Sequence, residues 1–435
     1  MSAYVPVDVI EVRCWGRTVG ALAYDSRLGL NVFEYTPEWI ASGVELSPLH
    51  MANRNGTYSF PQLAKETYCG LPSMIADALP DAFGNAVIDA WLSSQGVDKF
   101  EIKTLDRLAY AGERALGALT FHPAQPNLAG PATAIQIADV VAGARLVLAG
   151  EAAQAGSAHD ALTQLIQVGS SAGGARAKAI VAYQPHTHQF RSGYVSAEPR
   201  FEPWLMKLDG VSKSADGSIN SLDRPEQFTR IEYAYYLMAQ AAGITMSESR
   251  LYEEGDRAHF LTRRFDRDSE GERIHFQSLC AMDQLDFRYR DTHDYSQYFN
   301  VIRKLGMGAE ELTQAFRRMV FNVVCMNRDD HTKNVGFLLE QGGTWDLAPA
   351  YDVTHAFNPK GEWTQRHQMG VNSKFDQIAL ADIYQVGSAQ AIPAYKSVVA
   401  EVMSAAKDWE LFATKAGVSL ESRRKIAMDM VEHQI

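Results

Sequence analysis

The sequence predicts an α+β fold that begins with a small α+β module and ends in a mostly helical part. Three observations predict it. Short segments that alternate between apolar and polar residues, Val9–Trp15 and Val19–Tyr24, are typical of half-buried antiparallel strands. A cluster of small residues at positions 169–174 precedes further strand-like segments. From Tyr295 onward the apolar residues recur at helical spacing.

Residues 1–122 form the predicted N-terminal module. Turn residues such as Gly16 separate its strands, as in a small antiparallel sheet. Leu79-Pro80-Asp81 interrupts the chain before a segment of helical spacing. The predicted elements are strands at Val9–Trp15, Val19–Tyr24, Leu30–Tyr35 and Gly117–Phe121, and helices at Ala82–Ser94 and Lys103–Arg114.

The strand-rich part, residues 123–268, begins with a linker rich in Pro and Ala at 123–132. The mostly helical part covers residues 269–435. The predicted elements are strands at Ala179–Tyr183, Phe201–Leu208 and His259–Phe265, and helices at Pro225–Gly243, Glu311–Met326 and Ala389–His433. A strand-rich part with a glycine-rich loop, followed by a helical part, is the order of elements in a two-lobed protein-kinase-like fold.

The bulk composition excludes several classes of protein. The 435 residues carry a net charge of −11, which argues against a protein that coats nucleic acid, because phosphate binding needs clustered Lys and Arg. Four cysteines without a CxxC pair indicate reduced thiols. The most apolar long stretch, Ala132–Gly150, is interrupted by Asp139 and Arg145. We therefore expect no membrane span and no signal segment, and a cytoplasmic protein.

The most informative segment runs from Asn327 to Asn334 and reads Asn-Arg-Asp-Asp-His-Thr-Lys-Asn. Asn334 follows Asp329 at the fifth position, which is the spacing of a protein-kinase catalytic loop. In such a loop a carboxylate accepts the proton of the substrate hydroxyl, and an amide oxygen binds a metal ion. Apolar segments flank the polar run, so we expect a loop between a helix and a strand. A polar surface loop with a capping aspartate is the alternative interpretation.

A second carboxylate is needed to complete a metal site beside this loop. Asp346 and Asp352 both follow it, and spacing alone does not choose between them. Neither stands shortly before a glycine, as the corresponding aspartate of eukaryotic-type kinases does. Each is also compatible with a turn or helix cap.

The segment Gly169–Lys178 is a candidate phosphate-binding loop, because small residues let backbone N–H groups approach phosphate oxygens closely. It matches neither GxxxxGK[ST] nor GxGxxG, so a surface loop is equally compatible. Lys207 lies among apolar residues of a predicted strand and is a candidate for binding the α- and β-phosphates, with Glu232 of the next helix as its partner. Lys178 is the alternative phosphate-binding lysine.

The segments Asn327–Asn334 and Leu347–Asp352 resemble the HipA family of bacterial serine/threonine kinases, best known as toxins of toxin–antitoxin pairs. The shared pattern is D-x-H-x-K-N followed by P-x-Y-D. The resemblance covers nearly the whole chain. Its other segments are Tyr35–Ser42 and Leu79–Asp81 in the N-terminal module, Ala172–Lys178 in the glycine-rich loop, Arg264–Arg267 at the hinge and Met369–Asn372 in the helical part.

The resemblance implies a role for each matching residue. Asp329 would be the catalytic base, and Asn334 and Asp352 would bind Mg²⁺, which selects Asp352 over Asp346. Lys207 would bind the phosphates of ATP. The nucleotide site would further include Gly173, Gly174, Ala175, Arg176, Ala177, Lys178, Glu232, Arg263, Arg264, Phe265, His331, Thr332, Lys333 and Tyr351.

Ser171 matches a serine of the family's loop that is autophosphorylated, and Ser170 is the neighbouring alternative. Phosphorylation there would eject the loop and silence the kinase. The chain departs from the family at Arg263, where the best-known member has an acidic residue, and in an additional Gly and Ser within the loop. Backbone contacts from the hinge to adenine would survive the first departure.

The resemblance also implies the reaction and the partners. The γ-phosphoryl group of ATP would be transferred to a Ser or Thr of a protein, with aminoacyl-tRNA synthetases, glutamyl-tRNA synthetase first among them, as targets. A small helix-turn-helix antitoxin of the HipB type would be the partner. Operator DNA would be reached mainly through that antitoxin, which fits the acidic balance of this chain.

Two other functions are weighed against this one. A small-molecule kinase of similar two-lobed build, such as an aminoglycoside-type phosphotransferase, has no obvious use for the N-terminal module. A pseudokinase that acts as a binding module or co-repressor is the second. The presence of Lys207, Asp329, Asn334 and Asp352 together argues against it.

Overall fold

A computed structural model describes residues 4, 6–124, 134–150, 158–168, 176–193, 200–211 and 227–432. The contacts of the chain divide it into two compact units. The first unit comprises Met1–Leu46, Met51–Glu226 and Tyr252–His275, and the second comprises Ser47–His50, Gln227–Leu251 and Phe276–Ile435. The domain boundaries predicted after residues 122 and 268 stay a prediction.

The first unit begins with an antiparallel sheet and short helices. Its elements are β1 (Val9–Cys14), β2 (Arg17–Asp25), β3 (Leu30–Tyr35), α1 (Pro37–Ser42), β4 (Thr57–Tyr58), α2 (Lys65–Tyr68), α3 (Ser73–Ala76), α4 (Ala82–Ser94), α5 (Thr104–Ala111) and β5 (Leu119–His122). The strand order is β4-β3-β2-β1-β5. Ile10, Val12 and Cys14 of β1 are fully buried, whereas the residues between them are partly exposed, as expected for a sheet with one face on a core.

A second sheet of six strands completes the first unit. Its elements and the neighbouring helices are β6 (Ala134–Ile135), α6 (Ile137–Ala149), α7 (Ala158–Val168), β7 (Lys178–Gln184), β8 (Gln189–Ser192), β9 (Glu202–Lys207), β10 (Ser249–Glu254) and β11 (Arg257–Arg263). The strand order is β10-β11-β9-β7-β8-β6. One face of this sheet, with Trp204 and Met206 of β9, belongs to a core that includes Val87 of α4, Val140 of α6 and Leu165 of α7.

The second unit is mostly helical. Its elements are α8 (Phe228–Ala241), β12 (His275–Ser278), α9 (Leu279–Met282), β13 (His293–Asp294), α10 (Tyr295–Lys304), α11 (Ala309–Val324), a 3-10 helix (Thr332–Asn334), β14 (Gly336–Leu339), β15 (Trp345–Leu347), β16 (Met369–Gly370), α12 (Leu380–Ala389), α13 (Tyr395–Lys407), α14 (Trp409–Lys415) and α15 (Leu420–Glu432). Tyr235 of α8, Phe321 of α11 and Trp409 of α14 share one buried core, in which the two other rings contact Tyr235 edge-on.

The small sheets of the second unit surround the polar segment singled out in the sequence. Strands β12, β14 and β15 form one sheet in that order, and β14 pairs with β15 with Phe337 opposite Leu347. The chain can pass close to β12 only because residue 336 is a glycine: a Cβ there would lie 2.3 Å from the ring of Phe276. Strand β14 follows the polar segment directly, so this close packing fixes where that segment ends.

The predicted mixture of helices and strands is confirmed, whereas the two-lobed build stays a prediction. The helix at Ala82–Ser94 has the predicted bounds. The segment predicted to be helical, Ala389–His433, contains three helices, which Asp408 and Gly417 separate. The strand expected after the polar segment is β14, whereas β15 was missed, since a segment of three residues carries too little periodicity. Within the described ranges no helix is long and apolar enough to cross a membrane.

Candidate active site

The polar segment Asn327–Asn334 lies between α11 and β14, the arrangement expected from its apolar flanks. Met326, just before it, has a left-handed backbone with φ of 57°. This conformation costs an L-residue about 1–2 kcal/mol, so the sharp reversal after α11 is imposed by the surrounding structure. The segment closes in one 3-10 turn before β14. It is therefore a loop with both ends anchored in regular structure.

Asp330 anchors the loop in the interior of the second unit. Its side chain is 1% exposed. The carboxylate accepts hydrogen bonds from the Tyr295 hydroxyl at 2.9 Å, from Nδ1 of His367 at 2.9 Å and from the backbone N–H of Gln368 at 2.8 Å. Burial, together with the charge of Asp330, raises the pKa of Tyr295 well above its ordinary value. The hydroxyl therefore stays protonated and donates a hydrogen bond to the carboxylate.

Sequence reasoning missed the role of Asp330 and of His367. The feature of the sequence that could have revealed the role of Asp330 is the pair of consecutive aspartates, Asp329 and Asp330. In an extended loop two adjacent side chains point to opposite sides, so one of them must be accommodated inside the protein. A buried carboxylate needs donors, and these come from residues that are 35 or more positions away in the sequence.

Two asparagines extend the hydrogen bonds around the start of the loop. Nδ2 of Asn327 donates to Oδ1 of Asn322 at 2.9 Å, and Nδ2 of Asn322 donates to the Tyr295 hydroxyl at 2.9 Å. The backbone N–H of Arg328 donates to the Ala356 carbonyl at 3.0 Å. The start of the loop is thus joined both to α10 and to the segment that follows Asp352.

Asp329 differs from Asp330 in exposure: its side chain is 46% exposed. One carboxylate oxygen lies 3.8 Å from Nε2 of His331. A carboxylate that is exposed and held on a fixed loop is accessible to a substrate hydroxyl. A general base must come within hydrogen-bond reach of the substrate hydroxyl, and an exposed carboxylate is compatible with this, so the role of Asp329 stays a prediction.

Asn334 is oriented by the backbone of Asp329. Its Nδ2 donates to the Asp329 carbonyl at 2.8 Å. This bond assigns the nitrogen and the oxygen of the amide, because only the nitrogen can donate to a carbonyl. The amide oxygen is consequently directed away from that carbonyl, as a metal ligand would need to be.

The segment that carries Asp352 is attached to the same loop. The Tyr351 hydroxyl donates to the Lys333 carbonyl at 2.7 Å, which joins the residue before Asp352 to the residue before Asn334. The backbone N–H of Ala350 donates to the Thr245 carbonyl at 2.9 Å. Asp352 itself has a left-handed φ of 52°. Such strain in a non-glycine residue is concentrated at functional sites, where the surrounding structure enforces it.

Asp346, the other candidate, lies in a different environment. It is exposed on β15, opposite Leu338, and its Oδ1 accepts a hydrogen bond from the neighbouring Leu347 N–H at 2.6 Å. These contacts are local. The segment of Asp352, by contrast, contacts the loop at Lys333 and at Arg328, and the choice of Asp352 as the second carboxylate stays a prediction.

The remaining loop residues differ in what their side chains do. The Thr332 hydroxyl donates to the Leu285 carbonyl at 2.6 Å and is buried, so it stabilises the loop. The ring of His331 lies 5.2 Å from that of Phe287, and Nζ of Lys333 also lies 5.2 Å from that ring. For His331 and Lys333 a role in nucleotide binding stays a prediction.

In the first unit, Lys178 and Lys207 lie side by side on neighbouring strands, and Phe260 lies on the other side of Lys207. Both lysines are buried, with exposed fractions of 2% and 8%. Lys178 forms an ion pair with Asp81 at 3.4 Å, whereas Nζ of Lys207 lies 5.9 Å from the ring of Phe260. Two cations opposite each other on one sheet face repel, so this face is suited to an anion. Which of the two lysines would bind phosphate stays a prediction.

The predicted hinge follows β11. The backbone N–H of Arg264 donates to the Pro203 carbonyl at 3.0 Å and so extends the pairing of β11 with β9. The Arg264 guanidinium is buried against Asp266. The backbone N–H and the guanidinium of Arg264 both bind groups of the protein, so a contact of this residue with adenine would use its carbonyl. Arg263 is half-buried at the end of β11.

Several predicted residues are not brought together by the structure as it is described. Gly173, Gly174 and Ala175 and the serines Ser170 and Ser171 lie outside the described residues. Glu232 is buried on α8 in the second unit, and its pairing with Lys207 stays a prediction. Arg176 and Ala177 precede β7, and the Ala177 carbonyl accepts a hydrogen bond from the Leu208 N–H at 3.0 Å.

The residues of the loop fit a magnesium ion by their chemistry. An amide oxygen and a carboxylate, from Asn334 and Asp352, are hard oxygen donors, which Mg²⁺ prefers. Throughout the described ranges, His, Cys, Asp and Glu side chains form no group of three that could hold a metal ion. Two protein ligands suit Mg²⁺ in particular, because this ion keeps waters and phosphate oxygens as its other ligands.

Residues 10–122 match the family model described as HipA N-terminal domain, and residues 170–432 match the one described as HipA-like C-terminal domain. No curated protein matches the chain. The solved complex of HipA, HipB and operator DNA from Shewanella oneidensis MR-1 has a chain that is similar with a TM-score of 0.66 and 16% identity, covering 98% of this chain and 95% of that chain.

A proinflammatory kinase from Helicobacter pylori, CtkA, also matches, with a TM-score of 0.33 and 12% identity over 54% of this chain and 92% of that chain. This second likeness is too distant to support an argument. The likeness to the Shewanella oneidensis chain extends over almost the full length of both chains and concerns the fold.

Proposed function

The chain belongs to the HipA family, and on that premise we propose that it is an ATP- and magnesium-dependent serine/threonine protein kinase that acts as the toxin of a toxin–antitoxin pair. The observation that carries the proposal is the loop Asn327–Asn334. It presents an exposed carboxylate, Asp329, and the carbonyl of that same residue orients the amide of Asn334. A base and a metal ligand with this spacing are the parts of a phosphotransfer loop.

In the proposed reaction Asp329 accepts the proton of a serine or threonine hydroxyl. The hydroxyl oxygen forms a bond to the γ-phosphorus of ATP, and the bond from that phosphorus to the ADP oxygen breaks. Asn334 and Asp352 would hold Mg²⁺, which neutralises charge on the phosphate oxygens when it is bound. Asp330 keeps the loop in place while its neighbour reacts, because its three hydrogen bonds are internal.

The proposed nucleotide-binding residues are those that the family resemblance implies. Lys207, with Glu232 as its proposed partner, would contact the α- and β-phosphates, and Gly173–Lys178 would cover them. Arg263–Phe265 would provide backbone groups to adenine. The buried lysine pair on the sheet of the first unit supports an anion-binding role for this face.

Regulation and partners follow from the family. We propose autophosphorylation at Ser171, with Ser170 as the alternative, as an inhibitory step. A HipB-type helix-turn-helix antitoxin would be the partner, and operator DNA would be contacted mainly through it. The similar chain of Shewanella oneidensis is in a complex with HipB and operator DNA, which supports this part. An aminoacyl-tRNA synthetase, glutamyl-tRNA synthetase first, is the proposed target.

The proposed function is tested with purified protein, labelled ATP, Mg²⁺ and a bacterial lysate. We expect labelled protein bands, with the label on Ser or Thr by mass spectrometry. Asp329→Asn should lower the rate by about 10²–10⁴-fold, because the proton acceptor is lost, while ATP binding persists. Asp346→Asn is the matched control: an exposed aspartate on β15, whose replacement should leave the rate unchanged.

Two outcomes would decide for another function. Label on small molecules and not on protein would indicate a small-molecule phosphotransferase. Growth inhibition that is equal for the wild type and Asp329→Asn would indicate a pseudokinase that acts by binding.

A further inference from the structure

A buried cluster of charged residues connects two distant segments of the first unit. Its centre is Asp266, whose side chain is fully buried. Oδ1 accepts from Nε of Arg264 at 2.8 Å. Oδ2 accepts from Nη2 of Arg264 at 2.5 Å, from Nη1 of Arg267 at 2.8 Å and from the backbone N–H of Gly117 at 2.7 Å. Gly117 lies 149 residues earlier in the chain, in the connection between α5 and β5.

The arginines reach the same connection. The Arg264 guanidinium contacts the Ala115 carbonyl at 3.5 Å, and the Arg267 guanidinium contacts that of Gly117 at 3.3 Å. The Arg273 guanidinium donates to the carbonyls of Gly117 and Glu113. Three arginines and one aspartate on the segment 264–273 thus bind the backbone of the segment 113–117. We call this set of contacts the α5–β5 clamp.

The α5–β5 clamp requires a charged carboxylate. Burial alone would raise the pKa of Asp266, but the Arg264 and Arg267 guanidiniums and the hydrogen bonds from Arg264 and Gly117 hold it well below its ordinary value. Burying the Arg264 and Arg267 guanidiniums costs free energy, and the negative charge of Asp266 compensates that cost. Without it, three guanidiniums would lie close together with no anion at their centre.

The α5–β5 clamp lies directly beside the proposed adenine hinge. Arg264 is the second residue of that hinge, and its guanidinium is the bidentate partner of Asp266. The same residue's N–H donates to the Pro203 carbonyl. The backbone of Arg263–Phe265 is therefore attached on one side to β9 and on the other to the N-terminal module.

We propose that Asp266 is a positioning residue for nucleotide binding, because through Arg264 and Gly117 it fixes the hinge backbone against the N-terminal module at the spacing that adenine requires. This inference rests on the proposed function only in so far as the hinge binds adenine. Through Asp266 the N-terminal module would contribute to the preference for ATP over GTP. The reading that competes with it is that Asp266 stabilises the fold and does nothing more.

Asp106 provides the matched control. It is also a fully buried aspartate of the first unit. Its carboxylate accepts hydrogen bonds from the Tyr4 hydroxyl at 2.6 Å and from the backbone N–H groups of Val7 at 2.8 Å and Lys103 at 2.7 Å. All these partners lie within the N-terminal module, and none belongs to the hinge. Replacing Asp106 disturbs the module to a comparable degree and leaves the α5–β5 clamp in place.

The experiment measures the Kd of ATP and of GTP by calorimetry, with Mg²⁺ present, for the wild type, Asp266→Asn, Arg273→Ala and Asp106→Asn. We expect Asp266→Asn to weaken ATP binding about tenfold, since small misplacements of positioning groups have effects of this size or larger. We expect GTP binding to change much less, so the preference for ATP over GTP falls. Arg273→Ala should give the same change at a smaller amplitude, and Asp106→Asn should leave the preference unaltered.

The measured affinities show whether Asp266 positions the hinge. Equal losses of ATP affinity in Asp266→Asn and Asp106→Asn, or an unchanged preference in both clamp variants, would overturn it. Arg273→Ala leaves the Asp266 carboxylate paired, so it answers the question even if Asp266→Asn does not fold. Binding does not depend on phosphotransfer: a wild type that binds ATP without transferring phosphate refutes the proposed kinase activity and still tests the α5–β5 clamp. A wild type that binds no ATP refutes both.

Discussion

Two adjacent aspartates in the loop Asn327–Asn334 have opposite environments. The Asp330 side chain is 1% exposed and the Asp329 side chain is 46% exposed. The buried carboxylate is committed to three donors, whereas the exposed one can meet a substrate. Spacing from Asn334 selected Asp329 as the proposed base, and that role stays a prediction.

At the same scale, the left-handed backbone of Asp352 allows a prediction that separates stability from function. Asp352→Gly relieves backbone strain of up to about 1 kcal/mol, because glycine adopts a positive φ without strain, so a net loss of stability would measure what the carboxylate contributes. Asp352→Asn should change it by less than about 0.5 kcal/mol, because Asn tolerates this conformation. Both variants should lose Mg²⁺-dependent phosphotransfer, since each lacks the carboxylate.

Urea denaturation and a magnesium titration of activity measure these effects. A marked destabilisation by Asp352→Gly would show that the carboxylate stabilises the fold. Full activity of Asp352→Asn at low Mg²⁺ would exclude Asp352 as the metal ligand.

At the scale of elements, one aspartate serves both a helix and a sheet. Oδ1 of Asp81 accepts a hydrogen bond from the Gly84 N–H at 2.7 Å and caps α4, and the same carboxylate forms the ion pair with Lys178 of β7. The Leu79–Asp81 motif of the N-terminal module therefore acts on β7, an inner strand of the candidate nucleotide-binding sheet. A helix cap and a charge partner are combined in one side chain.

The two roles can be separated by substitution. Asp81→Ser retains a capping oxygen and removes the charge, whereas Asp81→Ala removes both. We expect Asp81→Ala to be less stable than Asp81→Ser by about 1 kcal/mol, which is the contribution of the cap. We expect Asp81→Ser to be less stable than the wild type, because a buried lysine loses a carboxylate partner.

Chemical denaturation followed by circular dichroism provides the comparison. If the Ser and Ala variants unfold at the same denaturant concentration, the cap contributes nothing. If Asp81→Ser is as stable as the wild type, the ion pair with Lys178 contributes nothing.

At the scale of the whole molecule, buried histidines connect stability to pH. His275 is fully buried, and Nε2 lies 3.2 Å from the Leu46 carbonyl. Burial lowers its pKa from 6.5 to about 4 in the folded protein, although the bond to the carbonyl acts in the other direction. Between these two values the unfolded chain binds more protons than the folded one. The contribution of His275 is therefore fully present above about pH 6.5 and is lost progressively as the pH falls toward about 4.

We expect the free energy of unfolding of the first unit to fall by about 2 kcal/mol between about pH 7 and pH 5 on account of this residue. His275→Gln, which can still donate to the Leu46 carbonyl, should lack that part of the decrease. Thermal or urea unfolding of both proteins at the two pH values tests this. An identical pH dependence of the wild type and His275→Gln would show that His275 is not the titrating group.

The sequence by itself indicated the chemistry that we propose for the loop. Asp329, Asn334 and the neighbouring residues lie within eight consecutive positions, so their spacing alone indicates a phosphotransfer loop. The helix at Ala82–Ser94 and the first three strands were also predictable, because their periodicity extends over enough residues to be distinct. Local pattern is sufficient wherever the interacting residues are close in sequence.

Only the tertiary structure decided the contacts between distant segments. Asp330 receives its donors from α10 and from His367, Lys178 pairs with Asp81, and Asp266 binds Gly117. A single sequence does not encode such pairs in any spacing, because chain folding brings their partners together from 35 to 149 positions apart. The sequence therefore indicated which groups would react, and the fold determined which side chains hold them in position.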